Sequence, residues 1–175
     1  MTAATRHGST AEIAHAIADE LTADGFDVTV LAPDLVTSAR DYDAVVLGSG
    51  VYAGHWLPSA TELLERHAQE LAQRPVWLFS SGPLGEPPKP TEDPIDVARI
   101  RARIGARGHR VFPGKIAKDE LGFAERAIVR IVRAPEGDYR PWDEVRGWAQ
   151  SIAGWLQMTA PPAPRLTRVQ PGRLT

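Results

Sequence analysis

Thr5-Arg6-His7-Gly8-Ser9-Thr10 sets three hydroxyl-bearing residues around a glycine immediately ahead of a helix-forming stretch. A glycine there permits a tight turn with several backbone N–H groups aimed inward. At a helix N-terminus such a turn suits a phosphate, through those amides and the positive end of the helix dipole. Read by itself, the hexapeptide serves equally as an ordinary helix start, with Ser9 or Thr10 as the N-cap and no ligand. Two later loops have a related character. Gly48-Ser49-Gly50-Val51-Tyr52-Ala53-Gly54-His55-Trp56 and Ser80-Ser81-Gly82-Pro83-Leu84-Gly85 each follow a continuously apolar run. Glycines allow close backbone approach, and Tyr52 and Trp56 offer flat apolar surface to an aromatic ring. The structural alternative is that the glycines only make turns and Trp56 anchors the core.

The elements around these loops alternate. Ile13, Ile17 and Leu21 recur at helical spacing between Ala11 and Ala23, and Asp24-Gly25 supplies a stop. Phe26, Val28 and Val30 alternate with polar residues, predicting a strand near a sheet edge. Ala44–Leu47, Val76–Phe79 and Arg110–Phe112 predict buried parallel strands, the first two because they are apolar throughout. Pro58 opens a helix carrying Leu64, His67 and Leu71. Pro141 opens another carrying Val145, Trp148, Ile152 and Trp155. Alternation of this kind predicts a parallel sheet with helices on both faces and puts the glycine-rich loops at the carboxyl ends of strands, where open α/β sheets take ligands. Only Met1–Ala4 is available for the first strand, against a usual five or six residues, so that strand is a stub or begins upstream. Lys118–Arg140 forms an extra segment before the last helix, with a short helix expected around Glu120–Arg133. Thr159–Thr175 holds four prolines and no acids, and is expected to be a disordered tail, leaving residues 1–158 as one domain.

Composition narrows the chemistry. A chain of 175 residues, 43% apolar, makes one domain with a sizeable core, and a net charge of −2 gives no global field for nucleic acid. The absence of cysteine removes disulfides, thiolate metal sites and cysteine nucleophiles. No Ser-His-Asp spacing or His-rich metal pattern stands out, and His15, His67 and His109 read as surface or core residues. A dinucleotide-binding Gly-x-Gly-x-x-Gly and the acids of a receiver domain are both missing after the first strand. No apolar run approaches the ~20 residues of a membrane span and no signal-peptide core follows Met1, so a cytoplasmic location is expected.

Thr5-Arg6-His7-Gly8-Ser9-Thr10 resembles the phosphate loop of flavodoxins, Thr/Ser-x-Thr-Gly-x-Thr, with His7 in place of the middle hydroxyl. Together with Tyr52-Ala53-Gly54-His55 and with Gly114-Lys115 followed by the extra segment, it is similar to the flavodoxin-like protoporphyrinogen oxidases of heme biosynthesis, which pass electrons to quinones. The likeness runs from Thr5 to about Leu156. It implies a doubly wound, five-stranded parallel sheet of order 2-1-3-4-5 with FMN at the strand tips, its first strand truncated here. By the resemblance, Thr5, Arg6, His7, Gly8, Ser9 and Thr10 hold the phosphate, with the His7 ring N–H as a donor. Ser49, Gly50, Val51, Tyr52, Gly54, His55 and Trp56, with Ser81, Gly82, Pro83, Leu84 and Gly85, flank the isoalloxazine. Leu84 stands where many flavodoxins place an aromatic. No catalytic side chain and no metal ligand is expected, because the flavin itself carries the redox chemistry.

Arg99, Arg101, Arg103, Arg107, Arg110, Lys115 and Lys118 fall within twenty residues that hold no acid. The bland reading is a solvated face; the functional one is attraction of a substrate carboxylate or acidic lipid. In the extra segment Leu121, Ala124, Ile128 and Ile131 form one stripe and Arg126, Arg130 and Arg133 another, a pattern able to lie on a membrane surface or to pack on the sheet. Three functions follow: an FMN oxidoreductase acting on a porphyrinogen with a quinone acceptor, a flavodoxin-type carrier docking to redox proteins, or a flavin-free domain of the same fold.

Overall fold

The computed structural model describes residues 1–82, 93–116 and 136–159. Pro83, Leu84 and Gly85, the helix expected around Glu120–Arg133, Lys118, and the tail beyond Thr159 lie outside the described residues. In chain order the elements are β1 (Thr2–Ala4), α1 (Ser9–Ala23), a 3-10 turn (Pro33–Leu35), β2 (Val45–Tyr52), β3 (His55–Trp56), α2 (Pro58–Leu71), β4 (Val76–Ser81), α3 (Val97–Ile104), β5 (Gly108–Phe112), β6 (Lys115–Ile116), β7 (Gly137–Asp138) and α4 (Trp142–Thr159).

β1, β2, β4 and β5 pair in parallel, in that order, and β3 folds back antiparallel on β2. β1 has only three residues, all buried, with Thr2, Ala3 and Ala4 in register with Leu47, Gly48 and Ser49. The expected edge strand at Phe26–Val30 does not form as a ladder. A stub of three residues offers too little partner, so the contact is a single bridge, Thr2 to Leu31, supported by Leu31 N–H donating to the Met1 carbonyl at 3.0 Å. The order 2-1-3-4-5 is nevertheless kept, with this segment lying on the free edge of β1.

Because strand side chains alternate between faces, each sheet face builds its own core. Leu47, Val76 and Leu78 pack against Leu63, Leu64 and Leu71 of α2 and Val97, Ile100 and Ile104 of α3. Val46, Trp77, Phe79 and Phe112 pack against Ile13 and Ile17 of α1 and Val145, Ala149 and Ile152 of α4. Trp148 meets the edges of Phe79 and Phe112, at 6.2 and 5.7 Å between centroids. α1 ends as the Asp24-Gly25 pair suggests. Gly25 adopts φ +90°, its N–H bonds the Thr22 carbonyl, and Phe26 N–H reaches back to Leu21, closing a Schellman motif. Gly48 is required by packing, since a Cβ there would overlap the Phe79 ring.

α3 was not anticipated as a helix. Its apolar stripe is short, and the interleaved arginines read as a charge run. It connects β4 to β5, and just past its end Arg107 N–H bonds the carbonyl of Val76 at the amino edge of the sheet. α4 runs through Thr159, one residue into the stretch read as tail.

Candidate functional site

The first two loops and the described start of the third, Ser80–Gly82, meet at the carboxyl edge because the strands beneath them are in register: Ala4 beside Ser49, Ser49 beside Ser80, and Gly50 beside Ser81. α1 and α2 leave β1 and β2 toward opposite faces, so the crevice between the first and second loops is a topological switch point.

The first loop ends on Gly8, the N-cap of α1, in the left-handed conformation (φ +79°), with open space where a Cβ would project. The first amides of a helix have no intrahelical acceptor. Here they are joined by a Ser9 hydroxyl that is buried and has no hydrogen-bond partner. A buried orphan donor costs free energy, and at a helix N-terminus it is the group a phosphate oxygen would satisfy. Thr10 is buried beside it, and its Oγ1 lies 3.2 Å from where a Cβ on Gly50 would stand, so glycine at position 50 keeps the two loops in contact. Thr5 and Arg6 are exposed and His7 half-buried. The Arg6 guanidinium stands 5.2 Å from the centroid of the Tyr52 ring, joining the first loop to the second.

The second loop is a tight hairpin between β2 and β3. Its two central residues, Ala53 and Gly54, have φ of 50° and 82°, the left-handed pair that a two-residue hairpin needs. Asp96 locks it, accepting from Trp56 N–H at 3.0 Å and lying 3.1 Å from His55 Nδ1, while Ile95 N–H bonds the Gly54 carbonyl. This places the predicted residues unequally. Tyr52 and His55 reach the rim. Trp56 is only 4% exposed, and its Nε1–H donates to Ser80 Oγ at 2.8 Å, so the flat surface expected to face a ring is turned into the core. Ser49 is fully buried; its hydroxyl donates to the Gly50 carbonyl and accepts from Leu57 N–H. In the third loop Ser81 is buried, and Gly82 packs so closely on Val51 that a Cβ would come within 2.9 Å of the Val51 Cβ.

Two arrangements escaped the sequence reading. Ser80 Oγ lies 2.8 Å from His109 Nε2, and His109 Nδ1 lies 3.4 Å from Asp93 Oδ1. This has the connectivity of an acid–base relay, but Ser80 is fully buried and already accepts the Trp56 N–H, so the set ties β5 to β4 rather than facing solvent. Burial holds the His109 imidazole below its ordinary pKa; Asp93 opposes that shift and Arg101 adds to it. The second is Arg140. Its side chain is 3% exposed, with Nη1 2.7 Å from Glu12 and 3.2 Å from the Ser9 carbonyl, and with Nε and Nη2 both on Asp138. Burial works against its charge, but hydrogen bonds to Asp138 and Glu12 outweigh that and raise its pKa. The same hydrogen bond from Arg140 draws the Asp138 carboxyl below its usual range, against a smaller opposing effect of burial. Ser9 and Arg140 stand 131 positions apart, which leaves no local motif to find.

Among the described residues no cluster of His, Asp or Glu is placed to hold a metal, and no helix is long and apolar enough to cross a membrane. Arg99, Arg101, Arg103, Arg107, Arg110 and Lys115 are exposed, but Arg103 and Arg107 lie near the amino edge, away from the loops. Lys115 lies just past the carboxyl end of β5, paired across from Asp138.

A doubly wound sheet with a left-handed glycine, an unpartnered hydroxyl and a helix N-terminus at its switch point has the architecture of a nucleotide-type cofactor domain. A family model for the flavodoxin domain matches residues 1–141, and the chain belongs to the flavodoxin-domain family. That membership implies FMN as its cofactor. The chain is 24% identical to a protoporphyrinogen IX dehydrogenase [quinone] from Escherichia coli (strain K12), covering 85% of this chain and 91% of that protein. Among solved structures it is similar to a flavodoxin from the domain Archaea, with TM-score 0.63, 16% identity and coverage of 89% and 96% of the two chains. It also matches rubredoxin oxygen:oxidoreductase from Desulfovibrio gigas, with TM-score 0.59 and 18% identity, over 91% of this chain and 36% of that one.

Proposed function

We propose that residues 1–158 form one FMN-loaded oxidoreductase domain that passes electrons from a porphyrinogen to a quinone. The observation that carries the cofactor is the buried, unpartnered Ser9 hydroxyl at the N-terminus of α1, beside a glycine held in the left-handed conformation. In this reading Thr5, Arg6, His7, Gly8, Ser9 and Thr10 hold the phosphate by hydroxyls, backbone amides and charge. Gly50, Val51, Tyr52, Gly54 and His55 and the loop Ser81–Gly85 flank the ring, with Ser49 and Trp56 acting as supports beneath it. Bound FMN supplies hydride or electron transfer; the chain binds it, orients it and shapes access to it.

The substrate reading rests on the Escherichia coli relative, a quinone-linked protoporphyrinogen IX dehydrogenase matched over most of both chains. Lys115, exposed at the carboxyl edge, is the described cation best placed to meet a substrate carboxylate. The test is protoporphyrinogen-dependent reduction of a menaquinone analogue by FMN-loaded protein. Turnover that depends on both reactants supports the reading, and no turnover with FMN bound overturns it. The structural likeness to flavodoxins favours one second reading, an electron carrier. A carrier would exchange electrons with a redox protein at rates set by salt, yet leave porphyrinogen untouched.

A further inference from the structure

We propose that Arg140, at the end of the extra segment, is the positioning residue that keeps the first turn of α1 competent to bind a phosphate. The proposal rests on the phosphate-loop reading and extends it to a residue remote in sequence. α1 carries a liability for an anion site: Glu12 lies in its first turn, where a carboxylate repels a dianionic phosphate at the same helix end. Arg140 answers that liability from beneath. Its Nη1 contacts Glu12 at 2.7 Å and donates to the Ser9 carbonyl at 3.2 Å, so one cation both faces the carboxylate and fixes the Ser9–Thr10 peptide of the first turn. The residue is itself held rigid. Asp138 engages Nε and Nη2 at 2.8 and 2.6 Å, the Arg140 N–H also bonds Asp138, and the guanidinium lies 4.4 Å from the centroid of the Trp142 ring. β7, which presents Asp138, is pinned by its pairing with β6 at Lys115 and Ile116. The base of the extra segment is thereby wired to the cofactor loop through a buried fork that only a guanidinium provides.

Arg140 does not touch the phosphate in this proposal; it acts through Ser9 and Glu12. Its removal should therefore weaken phosphate recognition specifically. Affinities for FMN and for riboflavin, which lacks the phosphate, are measured by quenching of flavin fluorescence in the full chain. Arg140→Met is expected to lower FMN affinity by roughly 5- to 150-fold, the usual span of a coupling between groups. Riboflavin affinity should change less than about threefold on the same scale. Glu12→Gln added to Arg140→Met should restore part of the lost FMN preference by removing the unbalanced carboxylate, which a merely structural arginine would not allow. Where Arg140→Met fails to fold, Arg140→Lys, which keeps the charge and loses the fork, carries the same comparison. A wild-type chain that binds both flavins equally overturns the phosphate-loop reading and this proposal with it. A wild type that prefers FMN, with variants that lose both flavins equally or neither, overturns this proposal alone.

Discussion

Replacing Ser9 by alanine should move two quantities in opposite directions. Without ligand, the Ser9 hydroxyl is buried and unpartnered, a state that costs about 1–3 kcal/mol relative to a satisfied or absent polar group. Alanine removes that cost and leaves only a void the size of one oxygen. The apo-protein should therefore gain on the order of 1 kcal/mol, seen as a rise of about 2–4 °C in Tm for a chain of this size. With FMN the sign reverses, because the variant loses a hydrogen bond to a charged group, worth about 1.5–3 kcal/mol. That corresponds to roughly a 10- to 150-fold weaker Kd. Urea denaturation of the apo-protein and a fluorescence titration with FMN measure the two quantities, with riboflavin binding expected to stay the same. An apo-protein that is destabilised, or FMN affinity unchanged within threefold, would refute the assignment of Ser9 to the phosphate.

Two other substitutions test the scaffold. Gly48→Ala drives a methyl into the Phe79 ring, which is fully buried and locked among Phe112 and Trp148, so a loss of about 3 kcal/mol is expected, at the upper end for overpacking. Combining it with Phe79→Leu should recover part of that loss in urea melts; strict additivity would contradict the packing. His109 is held below its ordinary pKa of 6.5 in the fold, so the unfolded chain binds the proton more readily. Its contribution to stability should be complete above that value and be lost as pH falls through the folded pKa. His109→Gln should flatten the stability profile in that acidic window, and a profile unchanged by the substitution would count against a buried neutral imidazole.

The parts of this molecule legible in the sequence are those whose signal is local. β2 and β4 announce themselves as uninterrupted apolar runs because both their faces are covered, and α1 by its four-residue apolar spacing and its Asp24-Gly25 stop. The start of α1 is legible for the same reason, since a glycine at a helix N-terminus has a meaning independent of the rest of the chain, and Gly8 is the left-handed N-cap there. What escaped depends on distant partners. Phe26–Val30 keeps strand alternation but has only three residues of β1 beside it. Trp56 has the composition of a ring platform, and only the hairpin at Ala53-Gly54 shows that it turns inward to meet Ser80. α3 hides Val97, Ile100 and Ile104 among arginines, so its apolar stripe reads as part of a charge run. Arg140 reads as one more basic residue until folding brings it to Ser9 and Glu12.

The central claim is that the Thr5–Thr10 loop binds the phosphate of FMN, and the most direct measurement is a parallel titration of the apo-protein with FMN and riboflavin. One FMN should bind per chain with a shifted visible spectrum, at least tenfold more tightly than riboflavin, about 1.4 kcal/mol assignable to the phosphate. Absence of saturable binding, or equal affinity for the two flavins, would contradict it.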